Sequence, residues 1–387
     1  MAPLLPLEEA QARILGRASP LPGETVRLEH AAGRVLAEPA RALVDLPPFA
    51  SSAMDGFAVR ASDTPGTLTV VGAVAAGRPT STVVAPGQAI GIATGGVVPG
   101  GADAVVPIEY VVHHDNTIRL ADAVRAGANV RPEGGDVRCG DLVIERGVRL
   151  APAHVGALAA IGAAEVVCGR RPRAAVLATG TELQVPGKPL APGQIYESNA
   201  PMLAAQLAAA GALVERFSSV RDDEGVHRAA IGRALDFDLV VTSGGVSVGE
   251  HDLVRRVAQE LGVEEVFWGV AMKPGKPVSF GVRGGTLVFG LPGNPVSSLV
   301  AHELFVRPAV LALQGASEPG PVFERAVLAR SVKRDPARDQ FLRARLLDRV
   351  EGRAAEPIAG QESHMIARAA SASALVHVPR GEGEILA

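Results

Sequence analysis

The sequence of 387 residues predicts a multidomain α/β protein, with a central doubly wound parallel sheet between two regions built mainly from short strands. Residues 173–314 alternate apolar β-branched runs with helical segments, which is typical of a parallel sheet covered by helices. Residues 1–170 and 323–387 contain shorter alternating runs bounded by Gly and Pro. The chain is also too long for one ordinary hydrophobic core, so several domains are expected.

The composition excludes several classes of protein. A net charge of −3 argues against a surface for nucleic acid or anionic membranes. Cys139 and Cys168 form neither a metal-binding spacing nor a disulfide framework, which favours a reducing compartment. The N-terminus carries Glu8 and Glu9 and does not resemble a secretion signal, and the longest nearly apolar stretch, 155–169, is too short to span a bilayer. We therefore expect a cytoplasmic protein that binds neither nucleic acid nor membrane.

Residues 1–170 are predicted to form an N-terminal region of short strands with a helix near each end. The helices are PLEEAQARILGRA and 151–162, and the strands lie at 67–74, within 102–114 and at 141–147. RRPR at 170–173 and GASEPGPV at 315–322 have the composition of linkers. The predicted domains are therefore 1–170, 171–315 and 320–387.

The central segment alternates strands and helices in order. Its predicted strands are RAAVLAT, ALVERFSSV, DLVVTS, VFWGVAM and TLVFGL. Its predicted helices are SNAPMLAAQLAAAG, DEGVHRAAIGRAL, 250–261 and one entered through Asn294 and Pro295. Ser198 or Asn199 is expected to cap the first of these helices. After residue 323, the runs FERAVLARSV, QFLRARLLDRV and SALVHVP predict a small all-β domain.

Each central strand is followed by a polar, glycine-bearing loop: TGTEL, RDDEG, TSGGVSVGEHD, KPGKP and GLPGNP. Because ligands of open parallel sheets bind at the carboxyl ends of the strands, we expect these loops to converge. The glycines suit phosphate oxygens, and Glu182, Asp222 and Asp252 are oxygen ligands suited to Mg²⁺. Lys273 and Lys276 add positive charge for a second anion. The pattern predicts a magnesium-assisted reaction on a phosphate-bearing substrate.

Each loop also has a purely structural interpretation. Asp222 or Asp223 can cap a helix, Glu182 can be a solvated acid, and Glu250 can serve only a helix dipole. A structural interpretation would have to hold independently at all five strand ends, which favours a shared site. The sequence lacks G-x-x-x-x-G-K-[ST], H-E-x-x-H, G-x-S-x-G and G-x-G-x-x-G.

Eight motifs together resemble one known family. SAMDGFAV, ATGGVVPGGADAVV, RPEGGDV, TGTEL, IYESN, TSGGVSVGEHD, KPGKP and LPGNP occur here in the order found in molybdopterin molybdenumtransferases, which include the C-terminal domain of gephyrin. The resemblance implies an N-terminal region of two subdomains, a central α/β domain shared with molybdopterin adenylyltransferases, and a C-terminal β domain. It also implies a homodimer whose cleft lies between the central domain of one subunit and the N-terminal region of its partner.

The activity that this resemblance implies is Mg²⁺-dependent insertion of molybdate into adenylated molybdopterin, with release of AMP and formation of molybdenum cofactor. The implied catalytic residues are Asp55, Glu182, Asp222 and Asp252, and the last three would also bind or position the metal. The implied substrate-binding residues are Thr94, Gly95, Asp136, Ser243, Gly244, Gly245, Ser247, Lys273, Lys276, Pro292, Asn294, Pro295, Arg343 and Ser363. Phe57 stands where the family often has Tyr.

Two other functions stay open at this point. One is a molybdopterin adenylyltransferase acting with ATP, which shares the central domain but usually lacks the flanking ones. The other is a non-enzymatic scaffold, by analogy with gephyrin, although the presence of all four acids favours catalysis. The adenylyltransferase that makes the intermediate is a further candidate partner, and no side chain in the set distinguishes molybdate from tungstate.

Overall fold

The computed structural model describes residues 4–217, 224–244, 253–349 and 352–387. Within these ranges, the N-terminal, central and C-terminal parts of the chain each build their own sheets, and helices cover the central one. The predicted α/β multidomain class is therefore confirmed.

The N-terminal region contains twelve strands and two α-helices in its described part. The strands are β1 Gly23–Arg27, β2 Ala40–Arg41, β3 Ser51–Ser52, β4 Gly56–Val59, β5 Gly66–Val74, β6 Gln88–Ile92, β7 Ala104–Pro107, β8 Val112–His114, β9 Thr117–Leu120, β10 Val130–Arg131, β11 Leu142–Ile144 and β12 Glu165–Gly169. The helices are α1 Leu7–Leu15 and α2 Pro152–Ala160, at the two predicted places. The predicted strand within 102–114 is interrupted by a 3₁₀ turn, Ile108–Tyr110.

These strands form two separately packed subdomains. One is a six-stranded sheet of order β7-β4-β6-β5-β9-β8, whose core includes Leu68, Ile90 and Ile118. The other joins β1 to β12 and β2 to β11, so it is built from two distant pieces of chain. The sheet subdomain is thus inserted into the other, and β3 and β10 pair where the chain enters and leaves it.

The first helix packs on the central domain. Leu7, Ala10 and Ile14 of α1 lie in the core of the central domain. Leu5 also donates a backbone hydrogen bond to Gly269 of that domain (3.1 Å). The start of the chain therefore ties the N-terminal region to the central sheet.

The central domain has nine strands and five helices in its described part. The strands are β13 Arg173–Ala178, β14 Leu183–Gln184, β15 Ile195–Tyr196, β16 Leu213–Arg216, β17 Leu239–Ser243, β18 Glu264–Trp268, β19 Met272–Lys273, β20 Ser279–Arg283 and β21 Thr286–Leu291. The helices are α3 Asn199–Ala209, α4 Glu224–Ala234, α5 Leu253–Glu260, α6 Pro295–Ala301 and α7 Arg307–Leu313. The main sheet has the order β16-β13-β17-β21-β20-β18, with apolar cores on both faces.

The prediction for the far side of this sheet was wrong in one respect. β20, which was not predicted, runs antiparallel to β21 and β18, so the sheet is mixed. The predicted strand VFWGVAM ends at Trp268, and Met272–Lys273 instead pairs with the C-terminal domain. Because β18 and β21 are both antiparallel to β20, they run in the same direction, and β18 still ends at the predicted edge.

A nineteen-residue helix, Pro295–Leu313, combines α6, a π-helical segment His302–Val306 and α7. Among the described residues it is the one helix long and apolar enough by composition to cross a membrane, but 83% of it is buried inside the protein. Its apolar side chains, including Val300, Phe305 and Val310, belong to the central core. The predicted helix entered through Asn294 and Pro295 is therefore confirmed, but its length was not predicted, since 155–169 was expected to be the longest nearly apolar stretch.

The C-terminal part is a small mixed sheet with one short helix. Its elements are β22 Val327–Leu328, β23 Val332–Lys333, β24 Asp339–Arg349, β25 Gly352–Pro357, α8 Ile366–Ala369, β26 Ala374–Val378 and β27 Glu384–Ile385. β24 pairs with β25, β26 and β19, and so joins this sheet to the central domain. The all-β prediction holds except for α8.

Candidate functional site

Three loops meet at the carboxyl edge of the central sheet. The Thr179 N–H donates to the Ser243 carbonyl (3.0 Å), and the Gly244 N–H donates to the Leu291 carbonyl (3.1 Å). Gly244 has a φ of +90°, and a Cβ there would lie 2.7 Å from the Thr179 carbonyl oxygen. A side chain would therefore force these loops apart. The ends of β13, β17 and β21 are held side by side, as predicted.

A buried polar network connects the same loops from below. The Asn199 Nδ2 donates to the Ser243 Oγ (2.7 Å) and to the Gly293 carbonyl (2.7 Å). The hydroxyls of Ser243 and Ser298 both donate to the Pro292 carbonyl. Ser243, predicted to bind substrate, is only 2% exposed. In this structure its side chain joins loops and does not face solvent.

Glu182 lies above the end of β13 with an exposed side chain. Its two carboxylate oxygens lie 2.7 Å from the point where a Cβ on Gly180 would stand, and the φ of Gly180 is +153°. The backbone carbonyl of Glu182 accepts from the Ile195 N–H (3.0 Å), which fixes the loop. Within the described ranges the carboxylate has no cationic partner, so it is available to bind a cation.

Lys273 and Lys276 belong to the KPGKP loop after β18. Lys273 is exposed and Lys276 is half-buried, and within the described part of the chain neither forms an ion pair. A Cβ on Gly275 would lie 3.0 Å from the Met272 Cε and 3.7 Å from the Ser297 carbonyl. The loop therefore packs closely over the start of α6, and its two ammonium groups have no carboxylate partner among the described residues.

The GLPGNP loop leads into α6. Pro292 is buried, Asn294 is exposed, and Pro295 is the first residue of the helix, where a missing N–H costs nothing. The Val296 N–H donates to the Ser363 carbonyl (3.0 Å). A loop of the C-terminal domain is thereby attached to the first turn of this helix through the backbone of Ser363.

Arg343 holds that C-terminal loop from inside. Its guanidinium donates to the carbonyls of Gly360 (2.8 Å) and Gln361 (3.1 Å), with a longer contact to Glu362 (3.4 Å). The residue is 1% exposed, and burial lowers the pKa of its guanidinium, although Glu362 opposes this shift. Arg343 was predicted to bind substrate, but here it acts on the loop that carries Ser363.

The remaining described candidates form a second group in the N-terminal region. The Thr94 N–H donates to the Asp55 Oδ1 (2.7 Å), and the Gly95 N–H donates to the Ser52 carbonyl (2.8 Å). The Asp136 N–H donates to the Leu46 carbonyl (2.9 Å). Asp55, Thr94 and Asp136 are exposed. Across the described residues of one chain, no hydrogen bond or ion pair joins this group to the loops of the central sheet.

Four predicted residues, Asp222, Gly245, Ser247 and Asp252, lie outside the described residues. Two of the three predicted Mg²⁺ ligands are among them. Among the residues that the structure describes, no three His, Cys, Asp or Glu side chains come together as a metal site.

Sequence reasoning missed the residues that hold the loops. The sequence suggests Asn199 only as a helix cap and predicts no role for Ser298 or Gln361. Gln361 donates to the Arg343 carbonyl (2.8 Å) and accepts from the Arg343 N–H (3.0 Å). Their one signal in the sequence is position: Asn199 ends the IYESN motif, Ser298 follows the GLPGNP loop, and Gln361 stands two residues before Ser363.

Comparison with known proteins covers nearly the whole chain. Residues 5–162 match the MoeA N-terminal region (domain I and II), residues 175–312 match a probable molybdopterin binding domain, and residues 325–387 match the MoeA C-terminal region (domain IV). The chain is 39% identical over 378 residues to molybdopterin molybdenumtransferase 2 of Mycobacterium tuberculosis, covering 94% of this chain and 92% of that one. It is 36% identical over 392 residues to the molybdopterin molybdenumtransferase of Haemophilus influenzae, covering 99% and 96% of the two chains.

A solved structure gives the same relationship. The molybdopterin biosynthesis MoeA protein of Pyrococcus horikoshii aligns over 99% of this chain and 96% of its own, with a TM-score of 0.81 and 34% identity. All three parts of the chain thus match in order, at full length, in sequence and in fold. The chain therefore belongs to the molybdopterin molybdenumtransferases, a family of enzymes of molybdenum cofactor biosynthesis.

Proposed function

We propose that this enzyme inserts molybdate into adenylated molybdopterin in an Mg²⁺-dependent reaction that releases AMP. The observation that carries the proposal is the meeting of the Gly244 and Gly293 loops at one edge of the sheet. Glu182 projects from the same edge, and the unpaired Lys273 and Lys276 follow the strand β18, which ends there. Family membership supports molybdopterin and molybdenum as the chemistry, and this arrangement supports the finer assignment.

The loops are suited to anions. Glycines let phosphate oxygens approach the backbone closely, where N–H groups bind them. Lys273 and Lys276 supply positive charge without a competing carboxylate among the described residues. They would hold molybdate or a phosphate group, and the Ser363 loop, attached to α6, would close the pocket on the C-terminal side.

The acidic residues suit Mg²⁺, because it prefers hard oxygen ligands and is usually held by one or two carboxylates plus phosphate. The Glu182 carboxylate fits this role, since it is exposed and has no cationic partner in the described ranges. Glu182, with Asp222 and Asp252, would hold the ion. When bound, Mg²⁺ neutralises charge on the phosphoanhydride. The protein itself would align molybdate with the phosphate-bearing substrate.

The N-terminal group would complete the site from a partner subunit. In one chain, Asp55, Thr94 and Asp136 have no described hydrogen bond or ion pair with the central loops. They could act on a substrate at those loops only if the loops belong to another subunit. Leu43, Val44, Phe49 and Met54, which lie in the same stretch, are exposed apolar side chains. Such a surface favours burial against another protein. We infer a homodimer with the cleft between subunits.

The test is AMP release from adenylated molybdopterin by purified protein, with Mg²⁺ and molybdate each omitted in turn. We expect release that requires both, together with transfer of molybdenum to the dithiolene. Glu182→Gln should lower kcat by about 100-fold or more, because it removes a charged ligand without changing shape. Glu318→Gln is the matched control and should leave kcat unchanged, since Glu318 is also exposed and forms no ion pair among the described residues.

Other results would reassign the protein. Adenylylation of molybdopterin with ATP, without molybdenum transfer, would indicate an adenylyltransferase. A folded protein with neither activity would indicate a scaffold. Release of AMP at the same rate with and without Mg²⁺ would refute the assignment of the carboxylates as Mg²⁺ ligands.

A further inference from the structure

We propose that Asn199 is a positioning residue that sets the distance between the two anion-binding loops. This inference rests on the proposed function, since it assigns a part in that same site. It goes further, because nothing in the sequence pattern gives Asn199 a role beyond the helix. The hydrogen bonds, burial and capping of α3 carry it.

The side-chain amide of Asn199 bridges two loops that are far apart in sequence. Its Nδ2 donates to the Ser243 Oγ at the end of β17 and to the Gly293 carbonyl after β21, each at 2.7 Å. A Cβ placed on Gly293 would stand 3.7 Å from the Gly244 Cα, so the two loops nearly touch. One amide group therefore fixes the spacing of the backbone that would bind the phosphates.

Asn199 is not needed to begin the helix. Ser198 makes no side-chain capping bond, and the Glu197 Oε1 instead accepts from the Ala200 N–H (2.7 Å). Since Glu197 caps the helix, the Asn199 side chain is free to turn inward. The capping role that the sequence suggests for Ser198 or Asn199 is thus performed by Glu197.

The burial of Asn199 also favours a specific role. The residue is 9% exposed, and its Oδ1 is buried without a hydrogen-bond donor among the described residues. A buried polar atom without a partner is unfavourable, and such atoms are rare in folded proteins. The amide is tolerated here for its two donated bonds, and a smaller apolar residue would avoid the unpaired oxygen.

Gln314 offers a matched control in the same domain. Its Nε2 donates to the carbonyls of Ala210 and Val310 (3.0 Å each), and its Oε1 is likewise buried without a described partner. It is 1% exposed and lies at the far end of α3, beside Gly211. Gln314→Glu therefore makes the same chemical change as Asn199→Asp, away from the loops.

The experiment compares Asn199→Asp with Gln314→Glu. A carboxylate at 199 faces the Gly293 carbonyl with no donor, so the loops should separate. We expect a loss of at least ten-fold in kcat/KM and weaker binding of AMP by calorimetry. Lowering the pH should restore part of the activity, because a protonated carboxyl can donate again. Gln314→Glu should lower the melting temperature but change kcat/KM less than two-fold.

A double-mutant cycle isolates the bond itself. Ser243→Ala removes the hydroxyl that accepts from Asn199. If Asn199→Asp fails to fold, Ser243→Ala tests the same hydrogen bond by itself. If Asn199 acts through Ser243, the fold-loss of kcat/KM in the double variant should be smaller than the product of the fold-losses in the two single variants. Full multiplication of the two losses would overturn the bridge as the mechanism.

The outcomes separate this inference from the proposed function. If the wild type releases AMP and binds it, but Asn199→Asp behaves like Gln314→Glu, the positioning role is refuted alone. If the wild type neither turns over nor binds AMP, the proposed function fails and the inference falls with it. A loss of activity in Gln314→Glu as large as in Asn199→Asp would show that both act only through stability.

Discussion

At the scale of single residues, Gly56 shows how closely the backbones of the N-terminal sheet pack. It lies in β4, between β6 and β7, and a Cβ there would stand 1.9 Å from the Val106 carbonyl oxygen. That distance is impossible without moving a neighbouring strand. We expect Gly56→Ala to lower the free energy of unfolding by about 2–4 kcal/mol, measured by urea denaturation.

Gly72, in β5 of the same sheet, is the control. A Cβ there would meet no heavy atom within 4 Å. Gly72→Ala should change the free energy of unfolding by less than about 0.5 kcal/mol. Equal effects of the two substitutions would mean that β4 adapts more freely than its register suggests.

His302 predicts a pH dependence of stability. It is fully buried in the long central helix, and burial lowers the pKa of its imidazole, against smaller opposing effects of Glu303. Since the unfolded chain then binds a proton more readily than the folded one, stability is present above the unfolded pKa of about 6.5 and is lost as the pH falls. The slope from this group is at most about 1.4 kcal/mol per pH unit.

His302→Leu should reduce that acid sensitivity. The measurement is the free energy of unfolding of wild type and variant between about pH 7.5 and 5.5, where carboxylates titrate little. Parallel curves for wild type and His302→Leu would show that another group causes the effect.

The sequence predicts the residue types of the candidate site, but not which of their side chains are exposed and which are buried. Glu182 and Lys273 are exposed and unpaired in the described structure, as a ligand-binding role needs. Ser243 and Arg343 are polar residues that the family resemblance also implies, but both are buried and bond to the protein. A motif gives the residue type, whereas the direction of a side chain depends on neighbours that are distant in sequence.

At the scale of elements, Arg343 on β24 connects the C-terminal sheet to the central helix. It satisfies carbonyls of residues 360–362, and the loop in turn accepts from the Val296 N–H. Arg343→Met should leave buried carbonyls without donors and cost about 2–4 kcal/mol of stability. It should also lower kcat/KM, because the loop carries Ser363.

The control for this element lies on the same strand. Arg345 is exposed and makes one long contact, to the Ser371 carbonyl (3.3 Å). Arg345→Met should be close to neutral in urea denaturation and in turnover. A neutral Arg343→Met would mean that the loop keeps its place without the guanidinium.

Elements with strong periodicity were predictable, and those defined by pairing were not. β13, β17 and α4 follow from their apolar patterns. β20 was missed because its run, SFGVR, follows the glycine-rich KPGKP loop and is joined to β21 by a tight Gly284–Gly285 turn. β19 has only two residues, and it exists because β24 of another domain lies beside it.

At the scale of the whole molecule, the chain crosses between its subdomains in ways that local patterns do not reveal. β1 pairs with β12 across nearly 140 intervening residues, and the sheet subdomain is inserted between them. The composition of the N-terminal region predicts short strands but not which ones are partners. The boundaries proposed at 170 and 315 remain predictions of the sequence.

The arrangement of the two candidate groups makes a prediction for the assembled protein. If Asp55 of one subunit acts with Glu182 of the other, Asp55→Ala and Glu182→Gln should each be inactive alone. A mixed dimer has one site with both defects and one site with neither. Co-expression in equal amounts makes half of the dimers mixed, so about one quarter of wild-type activity should return.

The mixed dimer can be isolated with two different affinity tags, which should raise its activity to about one half of wild type per dimer. Asp55→Ala combined with Glu182→Gln on one chain, paired with wild type, is the control and should be nearly inactive, because each of its two shared sites then carries one defect. No recovery in the first pair, with activity in the control, would place both residues in a site within one chain. Activity measurements alone therefore test whether the cleft lies between subunits, because two inactive chains can restore activity to each other only if they share a site.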